Sequence, residues 1–192
     1  MVEIKFLARV IRKECIACGE CQNVCPTEAI EVVDKKARVT AKKCLACPNC
    51  RGVCPVNAIK MVRRREPLRM GVNPLEVDQA RLTELCRKAR LHPHQWLCLC
   101  TATRVAEGAA AVLKGARTPE EIALMTGIRS GCTAYCLQSS LRLLKAHGVQ
   151  IIPPPGHRWY DTTQTLWDVP EEMIKKYPGH FLEEDKKVFR KI

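Results

Sequence analysis

Residues 15–32, CIACGECQNVCPTEAIEV, return as residues 44–61, CLACPNCRGVCPVNAIKM, and the offset of 29 is constant along the whole stretch. Cys15, Cys18, Cys21 and Cys25 map onto Cys44, Cys47, Cys50 and Cys54, and Pro26, Ala29 and Ile30 onto Pro55, Ala58 and Ile59. Two copies of a unit this short make one pseudo-symmetric domain, because a stack of repeats needs more members to bury its faces.

Each copy reads C-x2-C-x2-C-x3-C-P, the run that holds [4Fe-4S] clusters. Three thiolates two residues apart wrap one face of a cube, while the fourth, where a helix begins, is out of comfortable reach and crosses to the other copy. This assigns Cys15, Cys18, Cys21 and Cys54 to a first site and Cys44, Cys47, Cys50 and Cys25 to a second. The proline after each fourth cysteine fixes the exit turn without removing a needed N–H. Structural zinc is the competing reading, but three close cysteines and a distant fourth over-supply a tetrahedral ion. Gly19 in the first loop has its counterpart in Pro48, so the second loop supplies one amide donor fewer, an asymmetry able to separate the two potentials.

On these residues the stretch 1–65 resembles the bacterial-type two-cluster ferredoxins. The resemblance implies an α+β ferredoxin-like domain with a pseudo-two-fold repeat, FLARVIR (6–12), AIEVVD (29–34), ARVTA (37–41) and AIKMVRR (58–64) as strands or extended segments, and clusters close enough for fast electron transfer.

The remaining composition narrows the setting. The chain has 192 residues and 13 cysteines, and its opening MVEIKFLARVIRKE carries charges at positions 3, 5 and 9 with no apolar signal core. A reducing cytoplasm is therefore the expected location, and no apolar run approaches the ~18 residues of a membrane span, so no direct insertion is expected. The formal charge of +12 counts every thiol as neutral. Three four-cysteine clusters at roughly −2 each bring it to about +6, which favours a protein-docking face over a nucleic-acid face.

Residues 63–74, RRREPLRMGVNP, read as a linker or exposed edge, and residues 66–96 as linker and helix, with Leu75, Val77, Leu82, Leu85 and Ala89 at helical spacing. Cys86, the thirteenth cysteine, reads as a small buried hydrophobe. Residues 97–148 read as helical throughout, with stops at Gly115, Gly127 and Gly148 and a start at Thr118, Pro119, Glu120 and Glu121. A further helix is expected to open near Cys132, which puts Cys132 and Cys136 on one face, one turn apart, at the positive end of the helix dipole.

The order of CLC (98–100), GARTPEEIALMTG (115–127) and SGCTAYC (130–136) resembles the bacterioferritin-associated ferredoxin-like domain, related modules of which occur in amino-acid and opine dehydrogenase complexes. That resemblance implies a small all-α domain in which Cys98, Cys100, Cys132 and Cys136 hold a [2Fe-2S] cluster. The simplest members close with C-x2-C, whereas here the spacing is C-x3-C. Zinc, a thiol set for disulfide exchange, and a helix-turn-helix reading of residues 118–148 are the alternatives.

Residues 149–192 form an extended tail with PPP at 153–155 and six of the nine aromatic residues, from Trp159 to Phe189. Partner docking by aromatic anchors and packing back onto the chain are both compatible with it. His92, His94, His147, His157 and His180 are scattered, and neither a dinucleotide fingerprint nor a phosphate loop is present, so no catalytic residues are assigned. The expectation is a non-catalytic electron-transfer subunit with two [4Fe-4S] clusters and one [2Fe-2S] cluster. Its partner would be a flavin- or metal-containing catalytic oxidoreductase subunit in a hetero-oligomer, in a setting that suits an anaerobe, with no nucleic acid bound. A redox-sensing DNA-binding regulator and a free-standing carrier are the competing functions.

Overall fold

A computed structural model describes residues 2–153 and 160–189. Pro154, Pro155, His157 and Trp159 of the tail lie outside the described residues. Contacts divide the chain into a unit spanning residues 1–160 and a smaller one spanning 161–192.

The longest ribbon of the first unit pairs β1 (Val2–Val10) antiparallel with the later strand β4 (Ile59–Met70). Between them in sequence lie a one-turn helix α1 (Glu20–Asn23), the hairpin β2 (Ile30–Val33) and β3 (Lys36–Val39), and a second one-turn helix α2 (Asn49–Gly52). Asp34 and Lys35, the two-residue connection of the hairpin, have φ values of 52° and 56°, the left-handed pair that matches the twist of the flanking strands. The repeat is also written into the backbone. Ala17 and Ala46, and likewise Glu28 and Asn57, all take positive φ and are 29 residues apart. Ala8, Ala29, Ile30, Ala37 and Ile59 form a small core with Cys21, Cys44 and Cys50, and its small side chains leave room beside the thiols.

Arg63 to Met70 belong to β4, which corrects the linker reading of RRREPLRM. The ladder runs from Val10↔Ile59 to Phe6↔Arg63 and resumes at Ile4↔Leu68. Residues 64–67 therefore bulge opposite Lys5, and Pro67 sits in this break, where its missing N–H removes no ladder bond. The high charge reflects exposure of the ribbon and not an absence of structure.

A second core follows. A 3₁₀ turn at Pro74–Glu76 leads to α3 (Gln79–Lys88), with Asp78 accepting the Arg81 amide at 2.7 Å as its cap. The stretch from residue 97 is not helical throughout, because β5 (Trp96–Cys98) and β6 (Thr103–Arg104) pair around the C-x-C loop. The Arg104 guanidinium lies 3.2 Å from the Trp96 ring centroid and covers that hairpin. Then come α4 (Val105–Leu113), α5 (Pro119–Thr126) and α6 (Tyr135–Ala146). Thr118 caps α5 by accepting the Glu121 amide at 3.1 Å, and Gly127 ends it at φ 82°. Ala109, Ala110 and Ala111 on α4 allow close helix approach, and Leu97, Ile122, Leu143 and Leu144 are completely buried in the core. In the second unit α7 (Glu171–Lys176) and α8 (Leu182–Phe189) follow a 3₁₀ turn at Leu166–Asp168. Among the described residues no helix is long and apolar enough to cross a membrane.

Cys86 lies in the second core with no exposure, and burial pushes its thiol up to about 11. It is a packing residue. Cys86→Ala is expected to leave iron content unchanged and to cost roughly 1 kcal/mol for the small cavity. Cys86→Ser should cost about 1–3 kcal/mol if its hydroxyl finds no partner; denaturant melts of both variants check this.

Candidate metal centres

The two loops of the repeat build two hollows. One is lined by Cys15, Cys18, Cys21 and Cys54. The other is lined by Cys25, Cys44, Cys47 and Cys50. Each takes three thiols from its own loop and one from the other. Four thiols lining one apolar hollow suit a multi-atom cluster. Among the described residues no group of three or more His, Cys, Asp or Glu converges as a single-ion site.

Backbone amides aim at the sulfurs in symmetric pairs. Ala29 N–H donates to Cys25 Sγ at 3.1 Å, and Ala58 N–H to Cys54 Sγ at 3.3 Å. Ala37 N–H donates to Cys15 Sγ and Ala8 N–H to Cys44 Sγ, both at 3.4 Å. Ala8 and Ala37 are themselves 29 apart, so the repeat extends upstream of the cysteines. Such donors stabilise negative charge on sulfur and tune a bound cluster. Lys36 Nζ donates to the Cys15 carbonyl at 2.7 Å, and Arg64 Nη2 to the Cys44 carbonyl, placing a cation beside each loop.

The thiols titrate differently. The Ala37 amide holds Cys15 below the ordinary thiol range. Burial raises Cys21 and Cys47, and pushes Cys50 up to about 12 with help from Cys47 and Cys44. Metal must replace the protons on these buried sulfurs, so loading the sites releases protons.

The third set falls into two neighbouring-thiol pairs. Cys98 and Cys136 are buried and hydrogen-bonded to each other, while Cys100 and Cys132 are exposed and likewise hydrogen-bonded to each other. Burial opposes ionisation of Cys98, but the Thr101 hydroxyl and amide and the Arg129 amide bond its sulfur and bring it below the ordinary range. Burial and the neighbouring Cys98 push Cys136 up to about 12.

The helix carrying Cys136 starts later than expected. Thr133 has φ 63°, α6 begins at Tyr135, and Cys132 lies in the turn before it. The two cysteines therefore do not share a helical face. The free amides of Ala134 and Tyr135 point at Cys132 instead and lower its thiol.

Three participants had no sequence signal of their own: Thr101, Arg129 and Gly131. A Cβ added at Gly131 would lie 2.6 Å from Cys100 Cβ and 2.8 Å from its sulfur, so the glycine makes the space that Cys100 occupies.

A family described as a 4Fe-4S dicluster domain matches residues 8–61. The match supports a ferredoxin-type [4Fe-4S] domain over this stretch and a general role in iron–sulfur electron transfer. No curated protein and no solved structure matches the chain.

Proposed function

We propose that the chain is an electron-transfer subunit holding two [4Fe-4S] clusters and one [2Fe-2S] cluster, docked to a flavin- or metal-containing oxidoreductase subunit. In this reading residues 1–65 form an α+β ferredoxin-like half and residues 97–148 a small helical cluster-binding half. The observation that carries it is the gathering of eight cysteines into two four-thiol hollows, with Cys98 beside Cys136 and Cys100 beside Cys132 in the same compact unit. Bound clusters accept and release electrons singly.

What the chain contributes is ligation, burial and directed amides. The hollows are walled by Val10, Val32 and Ile59 on one side and Ile30, Val39 and Met61 on the other, apolar surroundings that restrict water. Docking to a partner draws support from the second unit, where Met173, Tyr177, Phe181 and Val188 are exposed, side chains of the kind that anchor interfaces. The reducing environment implied by thirteen free cysteines suits the cytoplasm.

Anaerobic reductive titration of the purified full-length chain tests the reading. Uptake of about three electrons per chain is expected, one for each site. Uptake of about two would remove the third cluster, and tight, salt-dependent DNA binding would favour the regulator instead.

A further inference from the structure

Two hydrogen bonds run from the third cysteine site to the ferredoxin-type half, and both end beside ligands of the second hollow. Arg129 Nη1 donates to the carbonyl of Pro26, the residue after Cys25, at 3.5 Å. Asn49 Nδ2, from the loop between Cys47 and Cys50, donates to the Gly131 carbonyl at 3.5 Å.

Arg129 is held there deliberately. Its backbone is left-handed, at φ 65°, a conformation that side-chain-bearing residues avoid. That backbone aims the Arg129 amide at both Cys98 and Cys136. The side chain is buried, and Nη1 donates to Glu120 Oε1 at 2.5 Å. Tyr160 donates from its hydroxyl to the other Glu120 oxygen, also at 2.5 Å. Arg129 Nε is buried without a hydrogen-bond partner among the described residues. A buried ion pair with an unmet donor is poor value as packing, since apolar residues of similar volume fill such space at no such cost. Its distinguishing property is reach: one residue bonds the ligand sulfurs of one site with its amide and the ligand loop of another with its guanidinium.

Exposure orders the sites independently. The first site has the exposed Cys18, and the third has the exposed Cys100 and Cys132, whereas none of the four cysteines of the second site is exposed.

We propose that Arg129 is a positioning residue that clamps the third cysteine site against the second [4Fe-4S] site, so that the sites run first, second, third. This rests on the three-centre reading for what the third site holds, but the clamp itself is a property of the chain. A single electron taken from a one-electron donor at one exposed end leaves to a one-electron acceptor at the other, and the middle site, none of whose cysteines is exposed, relays it between its neighbours.

The test uses the anaerobically purified full-length protein and Arg129→Lys, Asn49→Ala and Lys36→Met. Arg129→Lys keeps the main-chain amide and a charge for Glu120 but loses the guanidinium reach to Pro26. Lys36→Met marks the first [4Fe-4S] site, through its bond to the Cys15 carbonyl. The midpoint potentials of the two [4Fe-4S] signals are followed by low-temperature spin resonance, with iron counted in every sample.

With iron unchanged, Arg129→Lys and Asn49→Ala are expected to move the same [4Fe-4S] signal, and Lys36→Met the other. A roughly tenfold change in the reduced-to-oxidised ratio at fixed poise is expected for Arg129→Lys, about 59 mV for one electron. The clamp is overturned if Arg129→Lys moves neither signal, or moves the one that Lys36→Met moves. If Arg129→Lys does not fold, Asn49→Ala, a half-buried side chain, decides alone by the same criterion. A wild-type iron count of about eight together with the selective shift would sustain the clamp and remove the third cluster, whereas about ten without the shift would do the reverse.

Discussion

Cys18→Ala and Cys54→Ala are each expected to remove about four irons, and the double variant is expected to remove about four again, not eight. The two cysteines stand in different copies of the repeat yet line the same hollow, so the second loss finds nothing left to remove. Non-additivity of this kind is the signature of residues serving one site. Cys18→Ala combined with Cys25→Ala is the contrasting pair, since Cys25 lines the other hollow. That double variant should lose about eight irons, both clusters. If each loop instead supplied all four ligands to its own cluster, the two doubles would exchange results. Iron and acid-labile sulfide on anaerobically reconstituted protein distinguish the patterns.

Gly131→Ala is expected to remove about two irons while leaving the [4Fe-4S] sites intact. The new methyl would sit within 2.8 Å of Cys100 Cβ and Sγ, closer than nonbonded atoms approach, and Cys100 is exposed, so it yields outward at the expense of its contact with Cys132. The methyl therefore displaces a ligand, not the core. Gly108→Ala is the control for a purely packing effect. Its Cβ would lie 2.4 Å from Leu97 Cδ2 and 3.3 Å from Leu143 Cδ1 in the second core. Overpacking there should cost about 1–3 kcal/mol of stability without selective loss of two irons. Thermal melts and iron counts on both variants separate the two mechanisms.

The contrast between these sites explains what the sequence alone makes legible. The repeat of CIACGECQNVCP and CLACPNCRGVCP is local chemistry at fixed spacing, so the hollows and their exchange of a fourth thiol follow from counting. The amide donors Ala8 and Ala37 were within reach of the same counting, because the offset of 29 continues past the cysteines. RRREPLRM misleads because charge and proline ordinarily signal an irregular segment, and only pairing with Val2–Ile4 shows that the strand continues through a bulge. The placement of Cys132 fails for a similar reason. A C-x3-C spacing fits a helical turn, but Thr133 in a left-handed conformation starts the helix two residues later. Arg129 and Gly131 carry no pattern at all. Their importance comes from contacts with Pro26, Asn49 and Cys100, distant in sequence, and with Glu120, all made from the turn between α5 and α6.

The most direct measurement is the iron, acid-labile sulfide and zinc content per chain of anaerobically purified protein, beside a Cys98→Ser/Cys100→Ser variant. Three centres predict about ten irons and ten sulfides in the wild type, about eight of each in the variant, and no zinc. About eight irons in both proteins would contradict the account, leaving a two-cluster ferredoxin-type domain joined to a module whose four thiols serve another purpose.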